Sequence, residues 1–162
     1  MKRLFFILIL FGTLLLCSCQ REYGILEYQN NDIEAVCLIN GEYSVSLKKT
    51  DTLCTITVLE PEEVQGISFE LGTEGVLAIY GETKIEMDKE SLCGISALSE
   101  IFSQSEECMT GAAEHEGGSI LTFRKEKCTY QITLGKNSMP KKVKILSDTF
   151  EYDVEICSIK LT

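Results

Sequence analysis

Three hydrophobic rhythms follow one another along the chain. From Leu4 to Leu16 apolar residues run almost unbroken, interrupted only by Gly12 and Thr13. From Asp32 onward apolar and polar residues alternate in short segments, the period of a half-buried strand. Asp32 to Ile39 is the first clear one. Asn40-Gly41 follows, two residues that tolerate positive φ and favour a hairpin turn. Tyr43, Val45 and Leu47 then alternate with Ser44, Ser46 and Lys48. In Leu53 to Leu59, Cys54, Ile56 and Val58 oppose Thr55 and Thr57. Pro61 to Gln65 cannot easily continue a strand, and predicts one tight helical turn before Gly66. Ile67, Phe69 and Leu71 resume the alternation, and Val76 to Tyr80 and Lys84 to Met87 follow it.

The third rhythm is helical. Between Glu90 and Phe102 the apolar residues Leu92, Ile95, Leu98, Ile101 and Phe102 form a stripe. Asp88 or Ser91 is placed to cap its start. Gly94 lies inside, at a cost of up to ~1 kcal/mol relative to Ala. Residues 103–118 are small, acidic and Gly-bearing, and read as a loop. Strands return at Ser119 to Arg124, Cys128 to Leu134, Lys142 to Leu146 and Thr149 to Ile156. In the last, Phe150, Tyr152, Val154 and Ile156 face one way and Glu151, Asp153 and Glu155 the other. The expected fold is mainly β (α+β): a curled antiparallel sheet or unclosed barrel, mostly a meander, with one amphipathic helix packed on its concave face. No repeat or interior linker appears, so residues 32–162 are expected to form a single domain. Ahead of it, Gln20 to Gly24 reads as a tether and Ile25 to Tyr28 as an irregular strand start.

The N-terminal run is too short to cross a membrane. Its span as a helix is ~20 Å, against a hydrocarbon core of ~30 Å. Lys2 and Arg3 precede it, so residues 1–18 read as an export signal. The run ends in Leu16-Cys17-Ser18-Cys19, which resembles the lipobox of bacterial lipoproteins. That resemblance implies cleavage before Cys19 and transfer of a diacylglyceryl group, with a further acyl chain such as palmitate, to its thiol. Residues 19–31 would then be the lipidated N-terminus and tether. Cys17 as the acceptor fits less well, because Leu16 would stand immediately before it.

The chain has 25 acidic and 15 basic residues, for a formal net charge of −10. The signal takes two basic residues and no acids with it. So acidic a chain is a poor ligand for nucleic acid, which needs clustered Lys and Arg. The same charge repels an anionic lipid surface, so acyl chains rather than a basic patch would hold the protein at the outer, extracytoplasmic face of the cell membrane.

Candidate chemistry is sparse. There is one His and no Trp. No G-x-S-x-G, Gly-rich phosphate loop or H-E-x-x-H occurs. His115, in Glu114-His115-Glu116, reads as part of a solvated loop. Cys108, seven residues before it, has no preorganised path to it. Glu62-Glu63 and Glu106-Glu107 read as charged turns. Cys37, Cys54, Cys93, Cys108, Cys128 and Cys157 contain no C-x-x-C, which argues against a zinc or redox motif. They read as small buried hydrophobes or as disulfide partners. No catalytic residue, metal or cofactor is expected, and the chain does not read as an enzyme.

The element order resembles a known superfamily. An Asn-Gly hairpin leads to a strand ending in Pro61-Glu62-Glu63-Val64-Gln65-Gly66-Ile67-Ser68-Phe69. A Gly-turn hairpin, one helix and a strand pair joined by Gly135-Lys136-Asn137-Ser138-Met139-Pro140-Lys141-Lys142 follow. From about Asp32 to Ile156 this resembles small lipoproteins of anaerobic Gram-positive bacteria related to the LolA/LolB lipoprotein carriers. The resemblance implies an unclosed barrel whose apolar concave face takes a lipid or other hydrophobic ligand. The lining expected on that basis is Val45, Leu47, Ile56, Val58 and Phe69 from the sheet, with Ile95, Leu98 and Phe102 from the helix. The chain departs from the carriers in keeping its own anchor and lacking a long N-terminal helix. The alternative is a closed, filled core and a protein-interaction module that holds a cell-envelope partner.

Overall fold

The computed structural model of the chain describes Tyr28, residues 31–115 and residues 117–162. The segment carrying Cys19 and the tether lies outside the described residues. So does the expected strand start at Ile25, up to Tyr28. Among the described residues eleven strands form one antiparallel sheet. The first six are β1 Ile33–Ile39, β2 Tyr43–Lys49, β3 Cys54–Glu60, β4 Ser68–Leu71, β5 Val76–Tyr80 and β6 Thr83–Met87. The other five are β7 Met109–His115, β8 Gly118–Lys125, β9 Cys128–Gly135, β10 Pro140–Leu146 and β11 Glu151–Leu161. Their order across the sheet is β6-β5-β4-β3-β2-β1-β11-β10-β9-β8-β7. From β1 in the middle of the sheet, the chain winds out to β6. It then crosses to the far edge at β7 and winds back until β11 pairs with β1. β6 and β7 do not pair with each other, so the barrel is unclosed.

The sheet must curl. In its order β5 and β8 stand eight strands apart, ~38 Å in a flat sheet at about 4.8 Å per strand. The single α-helix among the described residues, α1 (Cys93–Ser99), has seven residues and is ~10 Å long. It cannot cover a flat sheet of that width. Yet Val76 on β5 and Phe123 on β8 are both sealed from solvent in one continuous core. Only a sheet rolled around the helix brings both under cover, and the face it rolls inward is called the inner face below.

The turns follow from the residues at them. Asn40 and Gly41 take φ of 52° and 71°, as their types favour, and Asn40 Oδ1 accepts from the Asp153 amide at 2.8 Å. The expected turn after Pro61 is the 3₁₀ turn Glu62–Val64. Gly66 follows with φ 83°. Its amide donates to the Val58 carbonyl, while the Val58 amide donates to Ile67. That is a bulge whose first position needs a left-handed residue, and glycine supplies it.

The helical segment keeps its stripe but not its length. A 3₁₀ turn at Lys89–Leu92 leads into α1, and Ile101 and Phe102 lie in the turn beyond it. Leu98, Ile101 and Phe102 are buried, and Leu92 and Ile95 pack half-buried against the core. Neither Asp88 nor Ser91 caps the helix through its side chain; Asp88 accepts from the Ser91 amide through its own backbone carbonyl. Gly94 has a packing reason: a Cβ there would meet the Tyr152 hydroxyl.

Residues 103–118 are not a loop throughout. Glu106–Cys108 is a 3₁₀ turn, and Met109–His115 is the edge strand β7. Thr110-Gly111-Ala112-Ala113 carries no apolar alternation because the strand is exposed along almost its whole length. The last strand also runs beyond the expected Ile156, to Leu161. The ladder jumps from Val36–Ser158 to Cys37–Ile156, so Cys157 is the extra residue of a bulge. This puts Ile156 and Ile159 on one face despite their odd spacing.

Candidate functional site

Residues directly opposed in an antiparallel ladder share a face. One inner-face row therefore runs Ala35, Leu47, Ile56, Phe69, Ala78, Ile85, from the central strand to the β6 edge. The first three are buried, Phe69 and Ala78 are half-buried, and Ile85 is 55% exposed. The next row runs Cys37, Val45, Val58 and, across the Gly66 bulge, Ile67. Tyr80 stands beside it at the end of β5 and is 61% exposed. Tyr43, opposite the buried Ile39, is also exposed.

The other half of the barrel is sealed. Tyr152, Ile145, Tyr130, Phe123 and Met109 form its matching row. Ile145, Tyr130 and Phe123 within it are fully buried. α1 packs on β3 and β4, and Lys125 pairs with Glu100 just beyond it. Phe102 is edge-on to the Tyr28 ring at 6.2 Å. The inner face is thus packed around the helix and opens toward β4, β5 and β6.

All eight residues expected to line a groove lie in this one cluster. Val45, Leu47, Ile56, Leu98 and Phe102 are buried, and Val58, Phe69 and Ile95 are half-buried against them. The surface that continues them into solvent, Ile67, Tyr80 and Ile85, is not among the eight. Its signal was weak: β5 is apolar on both faces, and Ile85 is a lone apolar residue between Lys84 and Glu86.

The core holds little chemistry. Burial pushes the Cys37 and Cys54 thiols up to about 12, so both stay protonated and unreactive. Burial likewise raises Tyr130 and Cys128, whose hydroxyl and thiol interact. Gln104 is buried and donates through Nε2 to the Glu100 carbonyl at 2.7 Å. Cys108 directly precedes β7 and His115 ends it, and an extended strand of that length spans ~20 Å. They form no nucleophile–base pair. No cluster of three metal-ligating side chains occurs among the described residues.

Five glutamates stand at the end of the sheet where the inner face opens, the end that on the far arm carries the β8–β9 turn with Lys125, Glu126 and Lys127. The β1–β2 turn, the β3–β4 connection and the β5–β6 turn all lie there, carrying Glu42, Glu60, Glu62, Glu63 and Glu82. All five are exposed, and none forms an ion pair with a described residue.

Among solved structures, the chain is similar to an uncharacterized conserved protein from Thermus thermophilus. The TM-score is 0.52 and the identity 13%, over 85% of this chain and 83% of that one. That likeness shows a shared fold. The chain is also similar to a LolA superfamily protein from Nitrosomonas europaea (TM-score 0.46, 8% identity, 86% and 92% of the two chains). A third similar structure is an outer membrane lipoprotein-sorting protein domain from Vibrio parahaemolyticus (TM-score 0.43, 10% identity, 82% and 84%). No family model matches the sequence, and no curated protein matches it.

Proposed function

We propose that this chain is a lipoprotein of the cell envelope, anchored through Cys19, whose LolA-like barrel holds a hydrophobic ligand on the inner face of β3 to β6. The observation that carries the reading is the row from Ala35 to Ile85. It is one apolar surface, buried at the sheet centre and open at the β6 edge. The lipobox-like Leu16-x-Ser18-Cys19 supports the anchor, and the sequence resemblance to the lipoprotein carriers supports the ligand class. The protein acts by binding rather than by catalysis. Its residues supply shape and apolar surface.

Two measurements test this. Cys19→Ala should abolish acylation and move the protein from the detergent phase to the aqueous phase; unchanged partitioning would remove the anchor from the account. Native mass spectrometry of that unacylated chain should show a co-purified acyl ligand. A clean apo protein would favour the alternative, a closed and filled core in a protein-interaction module for an envelope partner.

A further inference from the structure

The opening has a second property besides being apolar, and it selects among hydrophobic occupants. Tyr43, Val58, Ile67, Tyr80 and Ile85 present a strip of aromatic and aliphatic surface at one end of the sheet. The glutamates of the three neighbouring turns stand around it without ion-pair partners among the described residues. Lys84 is the one basic residue on β5 or β6. It pairs across the ladder with Ile79, on the outer face. An unneutralised negative rim repels an anionic headgroup or a free fatty acid carboxylate and attracts positive charge. β6 is also an edge strand, with one side of its backbone unpaired within the sheet.

We propose that this opening receives a cationic amphipathic polypeptide segment of a partner protein. Its apolar side chains lie on the Tyr80–Ile85 strip, and its Lys or Arg residues meet the glutamate rim. The inference rests on the open inner face argued above and adds the class of occupant. The segment needs an apolar stripe and positive charge on its flanks. Affinity comes from the stripe, while the charge sets selectivity and association rate.

The test uses the full chain in neutral-lipid nanodiscs, with empty nanodiscs as the blank. The probes are a fluorescent Lys/Leu amphipathic peptide, its Glu/Leu counterpart of equal apolar content, and an uncharged fluorescent long-chain alcohol. The Lys/Leu peptide should bind saturably at micromolar concentration, about tenfold or more tighter than the Glu/Leu peptide. Glu62→Gln/Glu63→Gln/Glu82→Gln should erase most of that preference. Tyr80→Ser/Ile85→Ser, at sites too exposed to matter for folding, should weaken the peptide and the alcohol together. Equal binding of the two peptides would overturn the proposal, and so would Lys/Leu binding unaffected by Tyr80→Ser/Ile85→Ser. Binding of the alcohol without the Lys/Leu peptide would overturn it while leaving the hydrophobic-ligand reading intact. Binding of neither would remove both.

Discussion

Cys37 and Cys54 show how a residue type that suggests chemistry is absorbed by packing. Each sits on the inner face, Cys37 in the row of Val45 and Cys54 opposite Leu71. Alternation in the sequence marks both as inward-facing, so their burial was legible. The exposure of Cys157 was legible too, since it follows Glu151, Asp153 and Glu155 on the outward side of the last strand; the inward return of Ile159 was not, because it depends on the bulge at Cys157. In the folded protein, Cys93 and Cys157 should react rapidly with a thiol reagent, and Cys37 and Cys54 only on unfolding. The pH dependence follows from the same burial. The fold prefers the neutral thiol, so the folded value, about 12, lies above the ordinary 9.0. This contribution is complete below pH 9 and is lost as pH rises from there toward 12. Urea unfolding at pH 7 and pH 10 should therefore show an alkaline loss that shrinks in Cys37→Val/Cys54→Val, by about 1 kcal/mol per thiol. An unchanged loss in that variant would place both thiols in contact with water.

At the scale of elements, the strongly patterned segments were legible and the weakly patterned ones were not. β1 to β3 alternate cleanly because one face is buried along most of their length. β7 carries Gly and Ala on an exposed edge, so nothing in its composition requires an alternation to read. The helix stripe was visible because Leu98, Ile101 and Phe102 must all reach one core. Its early end at Ser99 was not, since a turn can bury the last two as well as another helical turn can. Leu98→Ala should cost ~2–5 kcal/mol in denaturant unfolding, as expected of a buried leucine in a packed site; a loss under ~1 kcal/mol would mean that the helix does not seal the core. Gly94 makes the complementary case. Alanine is the better helix former by up to ~1 kcal/mol, yet the Tyr152 hydroxyl occupies the space of its Cβ. Gly94→Ala should destabilise the protein, and should become neutral or stabilising in a Tyr152→Val background. The same cost in both backgrounds would locate the constraint elsewhere.

The whole molecule is asymmetric in a way that single strands do not announce. Both arms of the sheet are meanders joined at β1 and β11, and both turn apolar residues inward. The β8–β10 arm is sealed by large side chains such as Phe123 and Tyr130, whereas the β4–β6 arm thins to Ala78 and ends on exposed Ile85 and Tyr80. The eight expected lining residues were legible as one cluster because each faces inward by alternation. Which part of that cluster meets water depends on where the helix lies, and no local pattern encodes that. The central claim, an inner face open at β4 to β6, is tested most directly by titrating the Cys19→Ala chain with an uncharged environment-sensitive acyl probe and repeating the titration on Ala78→Trp. Ala78 lies between Phe69 and Ile85 in the open row, so an indole there fills the opening without entering the packed core. The account predicts saturable micromolar binding with a blue-shifted emission, lost in Ala78→Trp while the unfolding midpoint is retained. Binding that survives Ala78→Trp, or no binding by a well-folded chain, would contradict it.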